Sequence, residues 1–365
     1  MKKLRLFGLA ALALLWAALV CCAWFGPARE MSESERRPLD QFPELSLKTV
    51  LDGKFMTDFE DYTLDQFPLR DSFRQLKALF HYNALGQKDN NDIYVVHDYA
   101  AKLEYPLNET SMSNVIKKMN HIYEKYLTGS ETVVFAAVPD KGYYLAEENG
   151  YPAMDYELLF ETLRRELPWA ELADLTDLLD AGDYYRTDTH WRQEKISAVA
   201  EALCKALGAD WFREGELTPT PVERPFYGVY YGQAALPMEA ELLYVMSGDV
   251  VDNCTVYNHE TGRTTGIYDW EKLKSRDLYD IYLSGAAALL TIENPNAATD
   301  KELVVFRDSF GSSLIPLLVK DYKTVTVVDT RYIAADYVGN FVDFHGQDIL
   351  MVYSTLIINS SNTLK

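Results

Sequence analysis

Hydrophobic positions along the chain follow two periods. Short apolar runs of strand length occupy residues 90–96, 132–138, 172–178, 303–306, 325–329 and 349–353. Continuous runs of this kind, bounded by polar turns, are the mark of strands buried on both faces. Elsewhere apolar residues return at steps of three and four, over 112–127, 155–167 and 191–207, which predicts helices. Strands alternating with helices predict a parallel sheet covered by helices on both faces. Residues 53–86 read as helical, through Phe55, Phe59 and Tyr62 and then Phe73, Leu76, Leu79 and Phe80, with Pro68 between the two sets.

Residues 210–300 break the alternation. Pro219, Pro221, Pro225 and Pro237 fall here, along with strand-like pieces at 241–246 and 254–257. This stretch is predicted to be a β-rich insertion, with 287–292 returning the chain to the main sheet.

The N-terminus adds a membrane element. Lys2, Lys3 and Arg5 precede a run from Leu6 to Gly26 without a charged side chain. That run is long enough to span a bilayer, and the cations ahead of it place the N-terminus in the cytoplasm. The expected order is a signal anchor over 1–28, a polar linker over 29–50 and an extracytoplasmic domain over 51–365. A cleaved signal peptide, which would release a secreted protein, is the rival reading. The apolar run exceeds the usual signal-peptide core, which favours the anchor. Val20 before Cys21 is a poor match to a lipoprotein cleavage site.

Composition narrows the partners. Lys and Arg total 35 against 55 Asp and Glu, a net charge of −20, so nucleic acid is not an expected partner. The cysteines are Cys21, Cys22, Cys204 and Cys254, and their spacing suggests no zinc site. Cys204 shares an apolar helix face with Ile196, Ala200, Leu203 and Leu207, so a buried thiol is expected, with Cys204 and Cys254 unpaired. No metal, nucleotide or other cofactor is indicated.

Candidate chemistry centres on residues 303–320. The apolar run ends at Arg307-Asp308-Ser309-Phe310-Gly311, and Leu314, Leu317 and Leu318 follow at helical spacing. A strand, a sharp turn and a helix are how α/β hydrolytic folds expose a nucleophilic serine. Such a serine lies at the carboxyl end of a strand, where open α/β sheets keep their sites. Free N–H groups at the helix start can stabilise an oxyanion there. Ser309 as a plain helix cap is the alternative. Of six histidines, His190 stands out within Arg186-Thr187-Asp188-Thr189-His190-Trp191. In an extended segment Asp188 points the same way as His190 and can fix its tautomer. A helix start capped by Asp188 or Thr189 is the competing reading.

Four segments then carry a family resemblance: Asp65-Gln66-Phe67-Pro68-Leu69-Arg70; Asp188-Thr189-His190-Trp191, with Thr189 where a first His is expected; 305–309 with Gly311; and Val328-Asp329-Thr330-Arg331-Tyr332. In this order they resemble the DHHW family of bacterial cell-envelope proteins. Beyond that family they resemble the periplasmic alginate O-acetylation proteins, whose fold is a permuted SGNH hydrolase. The resemblance implies Ser309 as nucleophile, His190 as base and Asp188 as orienting acid. Arg331 with Tyr332, after a strand end near the site, Trp191, and Lys141 and Tyr143, after the second strand, are candidates for substrate binding, and Ser309 and Gly285 are candidates for the oxyanion. On the residues alone, a surface salt bridge is the readier reading for Arg331 and a packing residue for Trp191. Ala286 stands where an Asn donor is expected, and loss of one oxyanion donor typically costs roughly 100- to 1000-fold in rate.

The implied function is an extracytoplasmic O-acyltransferase, acting with acetyl on a cell-envelope polysaccharide. A membrane-bound O-acyltransferase partner is implied in the same way. Two alternatives stay open: a weak or inactive glycan-binding or scaffold protein, and a carbohydrate esterase.

Overall fold

A computed structural model describes residues 2–32, 34–129 and 132–365. The chain divides into two compact units, Met1–Asn91 with Tyr231–Pro237, and Asp92–Tyr230 with Met238–Lys365. In the first, α1 (Lys2–Phe25) is followed by α2 (Lys54–Asp65) and α3 (Arg70–Asn83). Residues Arg5–Phe25 of α1 are long and apolar enough to cross a membrane, which fits a signal anchor. The α2–α3 break falls at Pro68, as the sequence predicts. Asp65 organises this unit: it accepts from Arg37 at 2.7 and 2.6 Å and from the Asp40 N–H at 2.9 Å. The Arg37 guanidinium leads in holding the Asp65 carboxyl down to about 2.

The second unit contains α4 (Glu109–Ile122), β1 (Val133–Val138), α5 (Tyr156–Glu166), β2 (Glu171–Ala173), α6 (Ser197–Ala206), β3 (Thr255–Asn258), β4 (Thr264–Gly266), β5 (Leu289–Glu293), β6 (Lys301–Arg307), α7 (Phe310–Leu314), β7 (Tyr322–Val328) and β8 (Asp348–Ser354). One sheet runs in the order β4-β3-β5-β7-β6-β8-β1-β2. From β7 to β2 all pairs are parallel, and from β4 to β7 all are antiparallel. Alternate residues of the central strands feed two cores. Val134, Leu303, Val305 and Leu350 join Val199 and Leu203 of α6 on one face. Phe135, Val304, Phe306 and Met351 join Val115 of α4 and Leu159 of α5 on the other. Burial on both faces is why these strands read as unbroken apolar runs.

Three expectations need adjusting. The 210–300 stretch is only partly an insertion: Thr218–Phe226 and Glu241–Ser247 form their own antiparallel ladder, but β3 and β4 extend the main sheet beside β5, which returns to it as expected. The strand expected over 172–178 stops at Ala173, because the Asp174 carboxylate accepts from the Thr176 N–H at 3.1 Å and turns the chain. The helix expected from Trp191 starts at Ser197, since the preceding residues are tied into loops around the site. Cys204 and Cys254 are buried and free, and burial pushes both thiols up to about 12.

Candidate active site

The turn after β6 is built by Asp308. Its N–H donates to Val352 O at 3.2 Å. Its fully buried carboxylate accepts from the Phe310 N–H at 2.9 Å and the Ser354 N–H at 2.7 Å. One side chain thus staples the turn to the start of α7 and to the end of β8. Ser309 has helical backbone angles and makes no side-chain cap bond. Its Oγ lies 2.8 Å from His190 Nε2. On the other side of the ring, Nδ1 lies 2.6 Å from Asp188 Oδ1. A carboxylate facing Nδ1 favours the tautomer that leaves Nε2 to accept from the serine hydroxyl.

The loop carrying His190 is irregular and held from a distance. Asp188 Oδ1 also accepts from the His190 N–H at 3.1 Å, and Oδ2 from the Val229 N–H at 2.7 Å. Glu241 accepts from the N–H groups of Arg186 and Thr187 and from Thr187 Oγ1, at 2.8 to 2.9 Å. Thr187 Oγ1 in turn accepts from the Gly228 N–H at 2.9 Å. Gly228 is required by close approach: a Cβ there would lie 2.2 Å from Asp188 Cβ.

Tyr279 was not singled out by sequence reading, yet its ring stacks on His190, with centroids 3.9 Å apart and planes at 8°. Its hydroxyl pairs with Ser313 Oγ at 2.8 Å, and the Trp191 indole N–H donates to the same oxygen at 3.0 Å. Tyr279 is one of 25 tyrosines and sits in a short 3₁₀ turn, Leu278–Ile281. No local pattern marks it. Arg307 is buried behind the Ser309 turn, donating to Ser312 Oγ at 2.7 Å and to Gly285 O at 3.1 Å. Burial pulls its pKa down.

The remaining candidates divide. Trp191 is fully buried, so it packs and offers no face to a sugar. Lys141 is buried as well, and its ammonium donates to Tyr185 O at 2.7 Å rather than lining an open rim. Burial pushes Lys141 down to about 7, against the pull of Asp188 and Glu241. Tyr143 is part-exposed and lines an open groove with Tyr105, Glu147 and Asp155. Arg331 holds Asp329 in a two-point pair at 2.9 and 2.6 Å, while Tyr332 is exposed. Gly285 has φ +84°, and its N–H donates to Tyr282 O at 3.1 Å. That N–H is committed to a turn.

A mostly parallel sheet, helices on both faces and a serine at the carboxyl edge make this a mixed α/β protein. The DHHW protein family model matches residues 176–328, bearing out the resemblance read from Asp188-Thr189-His190-Trp191. No curated protein matches the sequence. Among solved structures, a DHHW family protein from Eubacterium siraeum is 20% identical, with 75% of this chain and 94% of that chain covered at a TM-score of 0.62. Bacillus cereus PatB1 is 16% identical, covering 73% of this chain and 96% of that one at 0.59. The O-acetyltransferase domain of Pseudomonas putida AlgJ is 12% identical, covering 73% and 92%, but at 0.46 the likeness is too loose to bear on function. The first two share the fold of this chain.

Proposed function

We propose that this chain is an extracytoplasmic O-acyltransferase that moves an acetyl group onto a cell-envelope polysaccharide. The observation that carries the reading is the unbroken line from Asp188 through His190 to Ser309 Oγ, at 2.6 and 2.8 Å. In the first half-reaction His190 Nε2 takes the serine proton as Oγ attacks the donor's acyl carbonyl. The Ser309 N–H faces the developing oxyanion. The tetrahedral intermediate collapses, His190 returns the proton to the leaving group, and the acyl group stays on Ser309 as an ester. In the second half a sugar hydroxyl gives its proton to His190 and attacks that ester. Ser309 Oγ leaves and takes the proton back. Asp188 steadies the imidazolium in both halves.

In this reading α1 is an uncleaved anchor, residues 29–50 link it to the domain, and a membrane-bound O-acyltransferase supplies the acyl group. Tyr143, Arg331 and Tyr332 are the candidates left to contact the glycan. Ala286 favours a second reading, a weak or inactive glycan-binding protein, because the loop after Gly285 lacks an amide donor.

Bacillus cereus PatB1, which shares the fold, has been solved with a sulfonyl adduct, so a sulfonyl fluoride is a fitting probe. Peptide mass mapping should find the sulfonyl group on Ser309. A chain that stays unlabelled at saturating probe sinks the catalytic reading in favour of the binding protein. Incubation with an aryl acetate and a soluble oligosaccharide then separates transfer from hydrolysis: acetylated sugar supports the transferase, and free acetate alone makes it an esterase.

A further inference from the structure

Helix α3 is amphipathic and turned inside out. Its polar side is the covered one. Arg70 pairs with Glu35 and lies 3.3 Å from Asp65, while Arg74 lies 3.3 Å from Glu35 and donates to Gly232 O at 2.8 Å. Leu69, at the cap of α3, and Phe73, Leu76 and Phe80 fall at steps of four, three and four, which is one helical stripe. That stripe faces outward, with exposures of 67, 43, 62 and 55%. Surface helices of soluble domains do the reverse, and a contiguous apolar stripe of this kind marks a surface with a partner. The Asp65–Arg70 segment sets the orientation, because its two charged ends lock the polar side into the ion pairs with Glu35 and Arg37.

The same unit indicates what covers the stripe. Phe73 lies against Phe67, ring centroids 5.4 Å apart. Phe67 and Phe59 line an apolar cavity against Trp16, Val20 and Trp24 of α1. Trp24 and Phe59 are 6.4 Å apart. The apolar surface is therefore continuous from the last turns of α1 along α3. With the N-terminus of α1 in the cytoplasm, those last turns belong to the outer leaflet. Lys77, exposed beside the stripe, is placed to meet lipid phosphates.

We propose that α3 docks on the outer leaflet of the membrane, with Leu69, Phe73, Leu76 and Phe80 against lipid and Lys77 at the headgroups. The inference rests on α1 being an inserted anchor. It makes the first unit a platform seated on the bilayer as well as a tether to it.

The test uses the full chain with Cys21→Ser and Cys22→Ser, leaving the buried Cys204 and Cys254. Leu14→Cys, Leu76→Cys or Phe80→Cys is labelled with bimane, and the protein is reconstituted in phosphatidylcholine–phosphatidylglycerol vesicles. Nitroxide-bearing lipid should quench all three labels several-fold more than aqueous iodide does. Quenching by lipid at position 14, with iodide dominating at 76 and 80, overturns the docking and leaves the anchor standing. Labels at 76 and 80 silent to both quenchers mean a protein partner or second copy covers the stripe, which also overturns it. Failure of lipid to quench position 14 removes the anchor reading and the docking with it.

Discussion

The two halves of the site are held in different ways. The Ser309 turn is an extension of the sheet. β6 is paired on both sides, with Phe306 opposite Met351 of β8 and Val328 of β7, and Asp308 carries that order into the turn. The 186–190 loop has no ladder beneath it. It hangs on Glu241, on the Val229 N–H and on the Tyr279 ring, all more than forty residues away in sequence. The first half is therefore coupled to global stability. The second can be loosened while the domain remains folded, so its damage should register in rate.

The largest effects test that division directly. Ser309→Ala should abolish acyl-enzyme formation, and Asp188→Asn should lower kcat by roughly 10⁴ through the wrong imidazole tautomer. Ser309→Ala should leave the thermal midpoint within a degree or two, while Asp188→Asn, which turns an amide donor toward the N–H of His190 or Val229, should lower it by a few degrees. Asp308→Ala should behave in the opposite way. It strips the buried N–H groups of Phe310 and Ser354 of their acceptor, at about 1–3 kcal/mol for each unpaired group. Urea titration should report a loss of about 2–6 kcal/mol, and an unchanged midpoint would erase the distinction between the halves.

Gly228→Ala comes next. The new Cβ cannot share space with Asp188, so the loop must shift by about an ångström. A misplacement of that size can cost roughly 10²-fold in kcat. A variant that keeps full activity and the wild-type midpoint would show that the loop tolerates more movement than its bonds imply.

The same division governs what could be read before the structure. Strands β1, β6 and β8 announce themselves because both their faces are buried, and the β6–α7 turn follows from the abrupt end of an apolar run. Asp188 and His190 are legible as a pair because an extended segment puts alternate residues on one side. The rest depends on partners that periodicity does not encode. Strands β3 and β4 join the main sheet because of cross-strand register, which a short strand's sequence specifies weakly. Lys141 has the sequence of a rim residue, yet the carbonyl of Tyr185 draws its ammonium inward. Gly285 has the right neighbours for an oxyanion donor, but its left-handed backbone spends the N–H on Tyr282.

Tyr279 offers the finest test of the loop half. Its ring lies parallel to the imidazole at 3.9 Å, so it blocks ring rotation and presents a π face to the imidazolium that the proposed deprotonation of Ser309 would form. A cation over an aromatic face gains about 0.5–2 kcal/mol, depending on desolvation. The hydroxyl does something separate, bonding Ser313 Oγ at 2.8 Å, and Ser313 keeps the Trp191 N–H as a second partner. Tyr279→Phe should therefore retain activity within about threefold, since it keeps the face and gives up one neutral hydrogen bond. Tyr279→Leu should lower kcat about tenfold, the loss expected for about 1.4 kcal/mol of imidazolium stabilisation, and leave KM unchanged. Equal activity of the Phe and Leu variants would mean that the stacked ring only fills space, and that Asp188 and the Ser309 hydroxyl are enough to hold His190 in place.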